Sequence, residues 1–235
     1  MAAAALERVG VEQLTVDLSS PTLVTALVTG LGCSAAETAA LRAALARKDA
    51  AEVARAGGAA GKIAKALLEA AGPAGPALEA LSRLALPPAS AAEAERLAEV
   101  ATLVRNSRPE LALTVDPVEY RGFEYQTGVS FTLFARGVRG ELGRGGRYLA
   151  GGNGAPSEPA TGFTLFLDSV SRAAPLSAPR PRLFLPCGTP EAAARRLRAE
   201  WIAIMGLEPA ADARAEARRM GCSHLYAGGR IEALG

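Results

Sequence analysis

Histidine is almost missing: His224 is the only one in 235 residues. A His-based catalytic triad or a multi-histidine metal site is therefore not available to this chain. Cysteine is sparse as well. Cys33, Cys187 and Cys222 are far apart and follow no metal-ligand spacing. An odd, scattered count of this kind implies reduced thiols, so a cytoplasmic protein is expected. Lysine occurs only at 48, 62 and 65, so nearly all of the 26 basic side chains are arginine. Alanine, glycine and arginine are enriched together, which reads as a coding bias. Against 24 acidic residues the net charge is only +2, too little to imply a nucleic-acid partner. No apolar run approaches the length of a bilayer span, so no membrane partner is expected. Residues 1–6 lack the basic region and long apolar stretch of a signal peptide.

What is present divides into three parts. Hydrophobic residues make up 49% and charged residues 21%, the balance of a globular protein with one core and a small appendage. In residues 11–18, Leu14, Val16 and Leu18 alternate with Gln13, Thr15 and Asp17, the period of a half-buried strand. Ser20-Pro21 then marks a helix start, with Ser20 as cap and Pro21 in the first turn. Helical patterning continues to about residue 106. Ser34 with Glu37 forms a capping-box signature before residues 39–46, and Ser90 with Glu93 is expected to open the last helix. Gly57-Gly58, Gly72-Pro73 and Pro87-Pro88 punctuate the helices between. This helical part reads as scaffold.

Strand patterns follow at 111–115, 129–135, 142–148 and 162–167, with short connections that predict antiparallel pairing. Residues 175–181 are a linker by composition. The remainder alternates as strand 183–186, helix 190–200, strand 201–205, helix 212–220 and strand 224–227, which predicts a parallel or mixed sheet. At this size the module is expected to dock on the core.

Residues 116–172 carry the chemistry. Arg121 offers a rigid fork for a carboxylate or phosphate, and Glu124 and Tyr125 follow it closely. In a regular strand Arg121 and Tyr125 face one way and Glu124 the other, so convergence needs a bend at Gly122 or Gly128. The competing reading is an ordinary cross-strand Arg–Glu pair. Gly143-Arg144-Gly145-Gly146-Arg147 can form an anion nest or simply a tight hairpin. It is no Walker A loop, since no G-K-[ST] follows. Residues 151–154 read as a mobile loop.

These stretches resemble a known family. R-G-F-E-Y-Q-T-G from Arg121 resembles the histidine motif R-G-L-D-Y-Y of histidyl-tRNA synthetases. G-G-R-Y from Gly145 resembles their G-G-R-Y-D strand, and G-F-T-L-F-L-D-S-V from Gly162 resembles the third class II motif. The whole phrase looks most like the regulatory subunits of ATP phosphoribosyltransferase, catalytically silent paralogues of the synthetase. The resemblance implies an α+β fold. A partial class II aminoacyl-tRNA synthetase-like antiparallel sheet core is expected from 1–28 and 107–174. A helical insertion at 29–106 and a small C-terminal α/β module at 182–235 complete it.

The departures are specific. Ser169 stands where the third motif ends in an arginine that holds ATP phosphates. Gln126 replaces the second tyrosine of the histidine motif. No F-R-x-E sequence of the second motif exists, and no segment like the first motif precedes residue 11. The chain thus reads as lacking the N-terminal third of that family. The resemblance implies a regulatory role in the first step of histidine biosynthesis, with the short catalytic subunit as partner and histidine as effector. It implies no catalytic residue, cofactor or metal ligand. Self-association is expected to be weakened or rearranged, with apolar surface exposed where the first motif would pack. The histidine pocket is expected from Arg121, Glu124, Tyr125 and Gln126, with Gly145 and Arg147 nearby. The alternatives are a degenerate histidyl-tRNA synthetase-like amino-acid ligase and a fragment that no longer binds anything.

Overall fold

The computed structural model describes residues 1–56, 58–119, 125–151, 157–175 and 180–234. Arg121, Gly122 and Glu124, most of the 151–154 loop and of the 175–181 linker, and Gly57 lie outside the described residues. Two compact units are present, Met1–Pro175 and Leu176–Gly235.

The first unit opens with helix α1 (Ala2–Arg8) and strand β1 (Leu14–Ser19), whose Leu14, Val16 and Leu18 are buried as their alternation predicts. Helix α2 (Pro21–Gly30) begins at Pro21. Ser20 sits at its cap position, but its hydroxyl makes no capping bond and instead donates to Glu93 at 3.0 Å. Helix α3 (Ala35–Ala46) carries the expected capping box: Ser34 Oγ accepts from Glu37 N, and the Glu37 carboxylate accepts from Ser34 N.

Then come α4 (Ala50–Arg55), α5 (Ala59–Glu69), strand β2 (Gly72–Pro73), α6 (Ala74–Ser82) and α7 (Pro88–Ser107). The expected cap at Ser90 is corrected here. Helix α7 starts at Pro88, so Ser90 lies inside its first turn, its buried hydroxyl without a partner among the described residues. Glu93 turns away to α2 and accepts from Thr22 Oγ1 at 2.7 Å as well as from Ser20.

Strands β3 (Ala112–Val115), β4 (Gln126–Ala135), β5 (Gly143–Ala150) and β6 (Glu158–Leu165) complete the sheet, and helix α8 (Leu167–Ala173) follows. The last strand thus stops short of residue 167, where α8 begins. Sheet order is β2-β3-β1-β4-β5-β6. The run β1-β4-β5-β6 is antiparallel as expected, but β1 and β3 pair in parallel. The reason is their connection: all of α2 to α7 lies between them, long enough for a crossover that a hairpin cannot make. Gly72-Pro73, expected only as punctuation, pairs antiparallel with β3 at the sheet edge, where a proline without an N–H is tolerated. One apolar cluster joins the inner sheet face to the helices through Leu23, Leu41, Leu67 and Leu97.

The second unit contains β7 (Arg182–Leu185), α9 (Glu191–Glu200), β8 (Ile202–Met205), α10 (Ala213–Arg219), β9 (His224–Ala227) and β10 (Arg230–Ala233). Its sheet order is β10-β9-β7-β8, with β7 parallel to β8 and β9 and β10 antiparallel to β9. Leu183 and Leu185 pack with Leu197 of α9, while Phe184 packs with Ala217 of α10. Alternation along β7 therefore places one helix on each face. Strand β10 escapes the strand patterns. Its signal is Gly228-Gly229, a two-residue hairpin turn with φ of +55° and +81°.

Candidate functional site

The sheet of the first unit has two chemically distinct faces, and the strand register assigns every residue to one of them. One face carries the row Val115, Leu18, Phe131, Gly145, Phe163 and the row Leu113, Val16, Leu133, Gly143, Leu165. The opposite face carries Thr114, Asp17, Thr132, Arg144, Thr164 and, beside them, Ser19, Ser130, Gly146, Gly162. The first face is apolar and bears the core. The second is a polar floor, and its middle holds the buried Ser19–Ser130 hydroxyl pair at 2.9 Å.

Further along the floor, Gln126 pairs with Tyr148 across β4 and β5, with a register irregularity between Gln126 and Ser130. Two glycines make room for these side chains. A Cβ at Gly146 would lie 2.7 Å from Gln126 Oε1 and 2.8 Å from Ser130 Cα. A Cβ at Gly162 would lie 3.0 Å from the Tyr148 hydroxyl. Tyr125 meets the Tyr148 ring edge-on, with centroids 5.8 Å apart. Gln126 is only 5% exposed, yet neither its amide oxygen nor its nitrogen has a partner among the described residues. A buried amide with both groups open can hydrogen-bond a polar ligand, donating through nitrogen and accepting through oxygen.

Charges border the floor. Glu141 grips Arg144, accepting from its Nε at 3.0 Å and from Nη2. That grip raises the guanidinium further against the opposing effect of burial, and the nearby Tyr125 and Glu119 add to it. Lys48 reaches in from the end of α3, with Nζ 2.6 Å from Asp116 and 3.3 Å from Glu119. Burial pushes the Asp17 carboxyl up; a bond from Thr114 opposes this, and Asp116 nearby adds to it.

The structure brings Tyr125 and Gln126 together at this floor. It separates two other expected pocket residues from them. Gly145 lies on the apolar face, where a Cβ would sit 2.7 Å from the Phe131 ring, so Gly146 is the glycine that faces Gln126. Arg147 is exposed and lines a cleft of about 740 Å³ with Val129, Phe131 and Leu133 on the apolar side. Strand alternation is the cause: neighbours of Gly146 and Tyr148 in β5 must point away from them. Arg121 and Glu124 belong to the undescribed stretch, so their place is not on view. Tyr148 was legible in the G-G-R-Y phrase but not singled out. Asp17 and Lys48 carried no sequence signal toward the floor, because their partners are remote in the chain.

Ser169, in α8, is buried and accepts a hydrogen bond from Arg172 Nη2 at 2.9 Å. Among the described residues no cluster of three or more His, Cys, Asp or Glu could hold a metal. No described helix is long and apolar enough to cross a membrane.

This sheet, antiparallel except between β1 and β3, with helices on one face and a polar floor on the other, belongs to an α+β fold of the class II aminoacyl-tRNA synthetase-like type, as two solved structures show. A protein from Bacillus halodurans described as an ATP phosphoribosyltransferase regulatory subunit/histidyl-tRNA synthetase superposes with a TM-score of 0.69 at 18% identity, covering 92% of this chain and 60% of that one. Histidyl-tRNA synthetase from Nostoc sp. PCC 7120 gives 0.68 at 17% identity, covering 95% and 60%. Residues 1–170 match the histidyl-tRNA synthetase family, and the chain belongs to that family. Within it, the chain is 54% identical over all 235 residues to the ATP phosphoribosyltransferase regulatory subunit of Rhodospirillum centenum, of which it covers 60%. It is 40% identical to the subunit of the same name from Gluconobacter oxydans, again covering 60%. The chain thus spans about 60% of the length of these relatives.

Proposed function

We propose that this chain acts as a non-catalytic regulatory subunit of ATP phosphoribosyltransferase in the cytoplasm, at the first step of histidine biosynthesis. It supports the short catalytic subunit and links its activity to histidine. The observation that carries this reading is the 54% identity across the whole chain to a relative of that name. The ATP phosphoribosyl transferase (HisG:HisZ) complex from Thermotoga maritima includes a chain of this fold, with a TM-score of 0.53 over 70% of the present chain. Co-purification with the catalytic subunit, with activity measured with and without histidine, tests the reading. No association and no change in activity would overturn it. In this reading 1–28 and 107–174 form the synthetase-like core, 29–106 its helical insertion and 182–235 a separate module.

The polar floor is the proposed histidine site. Arg121 matches the ligand's carboxylate, Glu124 its ammonium, and Tyr125 and Gln126 its imidazole, with Gly146 giving Gln126 room and Gly145 and Arg147 supporting the strand. Removing one partner of a buried charged group costs about 2–5 kcal/mol, more than tenfold in affinity. Arg121→Ala and Glu124→Gln are each expected to weaken histidine binding by that order without unfolding the core. Calorimetry decides: equal binding by Arg121→Ala, or none by the parent chain, removes the pocket assignment.

A further inference from the structure

Lys48 is unusual in two ways. It is one of three lysines in a chain whose other cations are arginines. Its φ is +54°, in the left-handed region where glycine is at home. Three other helices show what this position normally holds. At the ends of α1, α2 and α10, two successive N–H groups reach back over the last turn: Gly10 and Val11 to Glu7 and Leu6, Gly32 and Cys33 to Thr29 and Val28, Gly221 and Cys222 to Arg218 and Ala217. Each time the left-handed residue is glycine. Helix α3 closes by the same pattern, Lys48 and Asp49 donating to Leu45 and Ala44, but with lysine in the glycine place. The chain accepts backbone strain there, and an observed outlier of this kind points to work done by the side chain.

That work is visible. The half-buried ammonium bridges Asp116 and Glu119, 68 and 71 positions further on. Asp116 is also fixed by its backbone, since its N–H donates to Leu18 O at 2.9 Å and its Oδ1 accepts from Val118 N at 3.1 Å. Leu18 lies in β1 between Asp17 and Ser19, two residues of the polar floor, so the bridge ends at the strand that carries them.

We propose that Lys48 is a positioning residue of the ligand site, holding Asp116 and Glu119 at the end of β3, against β1, and so tying the helical segment to the polar floor. This rests on the reading of that floor as a histidine site. The strained backbone separates two roles that most substitutions confound. Lys48→Gly relieves the helix end and removes the bridge; Lys48→Met removes the bridge and keeps the strain. Histidine calorimetry and thermal unfolding are run on the full chain and on both variants. Both variants are expected to bind at least about fivefold more weakly, although Lys48→Gly melts higher than Lys48→Met. Lys48→Arg, whose fork can still span two carboxylates, is expected to restore most of the affinity. Unchanged affinity in both variants, or affinity that merely follows the melting temperature, would overturn the proposal. If the parent chain binds no histidine, the reading of the floor itself is wrong and the proposal goes with it.

Discussion

At the scale of single residues, the polar floor depends on small choices. Gly146 faces the Gln126 amide and the backbone of Ser130, and a methyl group there has nowhere to go because Ser130 is a central strand residue. Gly146→Ala is therefore expected to destabilise the fold by about 1–3 kcal/mol, measured by urea unfolding. Asp17 gives a test of the opposite sign. Its carboxyl is raised, by burial first and by Asp116 and Glu119 besides, so ionising it works against the folded state. A raised carboxyl contributes stability below the ordinary carboxylate range and loses it as pH rises through the folded-state value. Asp17→Asn keeps an oxygen to accept from Thr114 and carries no charge. The variant is expected to be more stable than the parent at pH 7 and to lose that advantage in acid. An equal or lower stability at pH 7 would show that the Lys48 cation already compensates Asp17.

At the scale of elements, the joint between α2 and α7 is set by Glu93. Burial would raise its carboxyl, but bonds from Thr22, Ser20 and Arg96 outweigh this and hold it below the usual range. A depressed carboxyl contributes stability above its unfolded value and loses it as pH falls through the folded one. Glu93→Gln is expected to cost about 1 kcal/mol at neutral pH. The gap to the parent should close as the pH falls through the depressed folded-state value, where the carboxylate becomes protonated in both states. A gap that persists in acid would mean that packing, not charge, is what Glu93 supplies. The Ser34–Glu37 capping box was legible because both partners sit within one turn. The Ser90–Glu93 pair has the same spacing, and misleads because Glu93 finds better donors on another helix. Local patterns hold where no tertiary partner competes.

At the scale of the whole molecule, the departures from the synthetase motifs bear on the proposed non-catalytic role. Ser169 offers a hydroxyl already engaged by Arg172 where the resemblance calls for an arginine on ATP phosphates. No adenylate formation is expected, and histidine-dependent ATP–pyrophosphate exchange is the assay; a signal above background would restore the ligase alternative. Ser169→Arg is not expected to rescue exchange, because the arginine of the second motif has no counterpart in the chain. An apolar cleft of about 740 Å³ lies between α1, α7 and the sheet.

The sequence by itself determined the central strands β1, β3, β4 and β5, the starts of α2, α3, α9 and α10, the alternating α/β order of the second unit and the family phrases at 121–128, 145–148 and 162–170. All of these rest on periodicity or on residues adjacent in the chain, where a pattern of two or three and a half residues is readable without a fold. Only the tertiary structure decided that β1 pairs in parallel with β3, that Gly146 and not Gly145 faces Gln126, and that Arg147 belongs to the apolar side. Register fixes these, and a shift of one residue reverses every side chain on a strand. It also decided that Lys48 meets Asp116 and Glu119, since that bridge spans a helical segment whose packing no local pattern encodes.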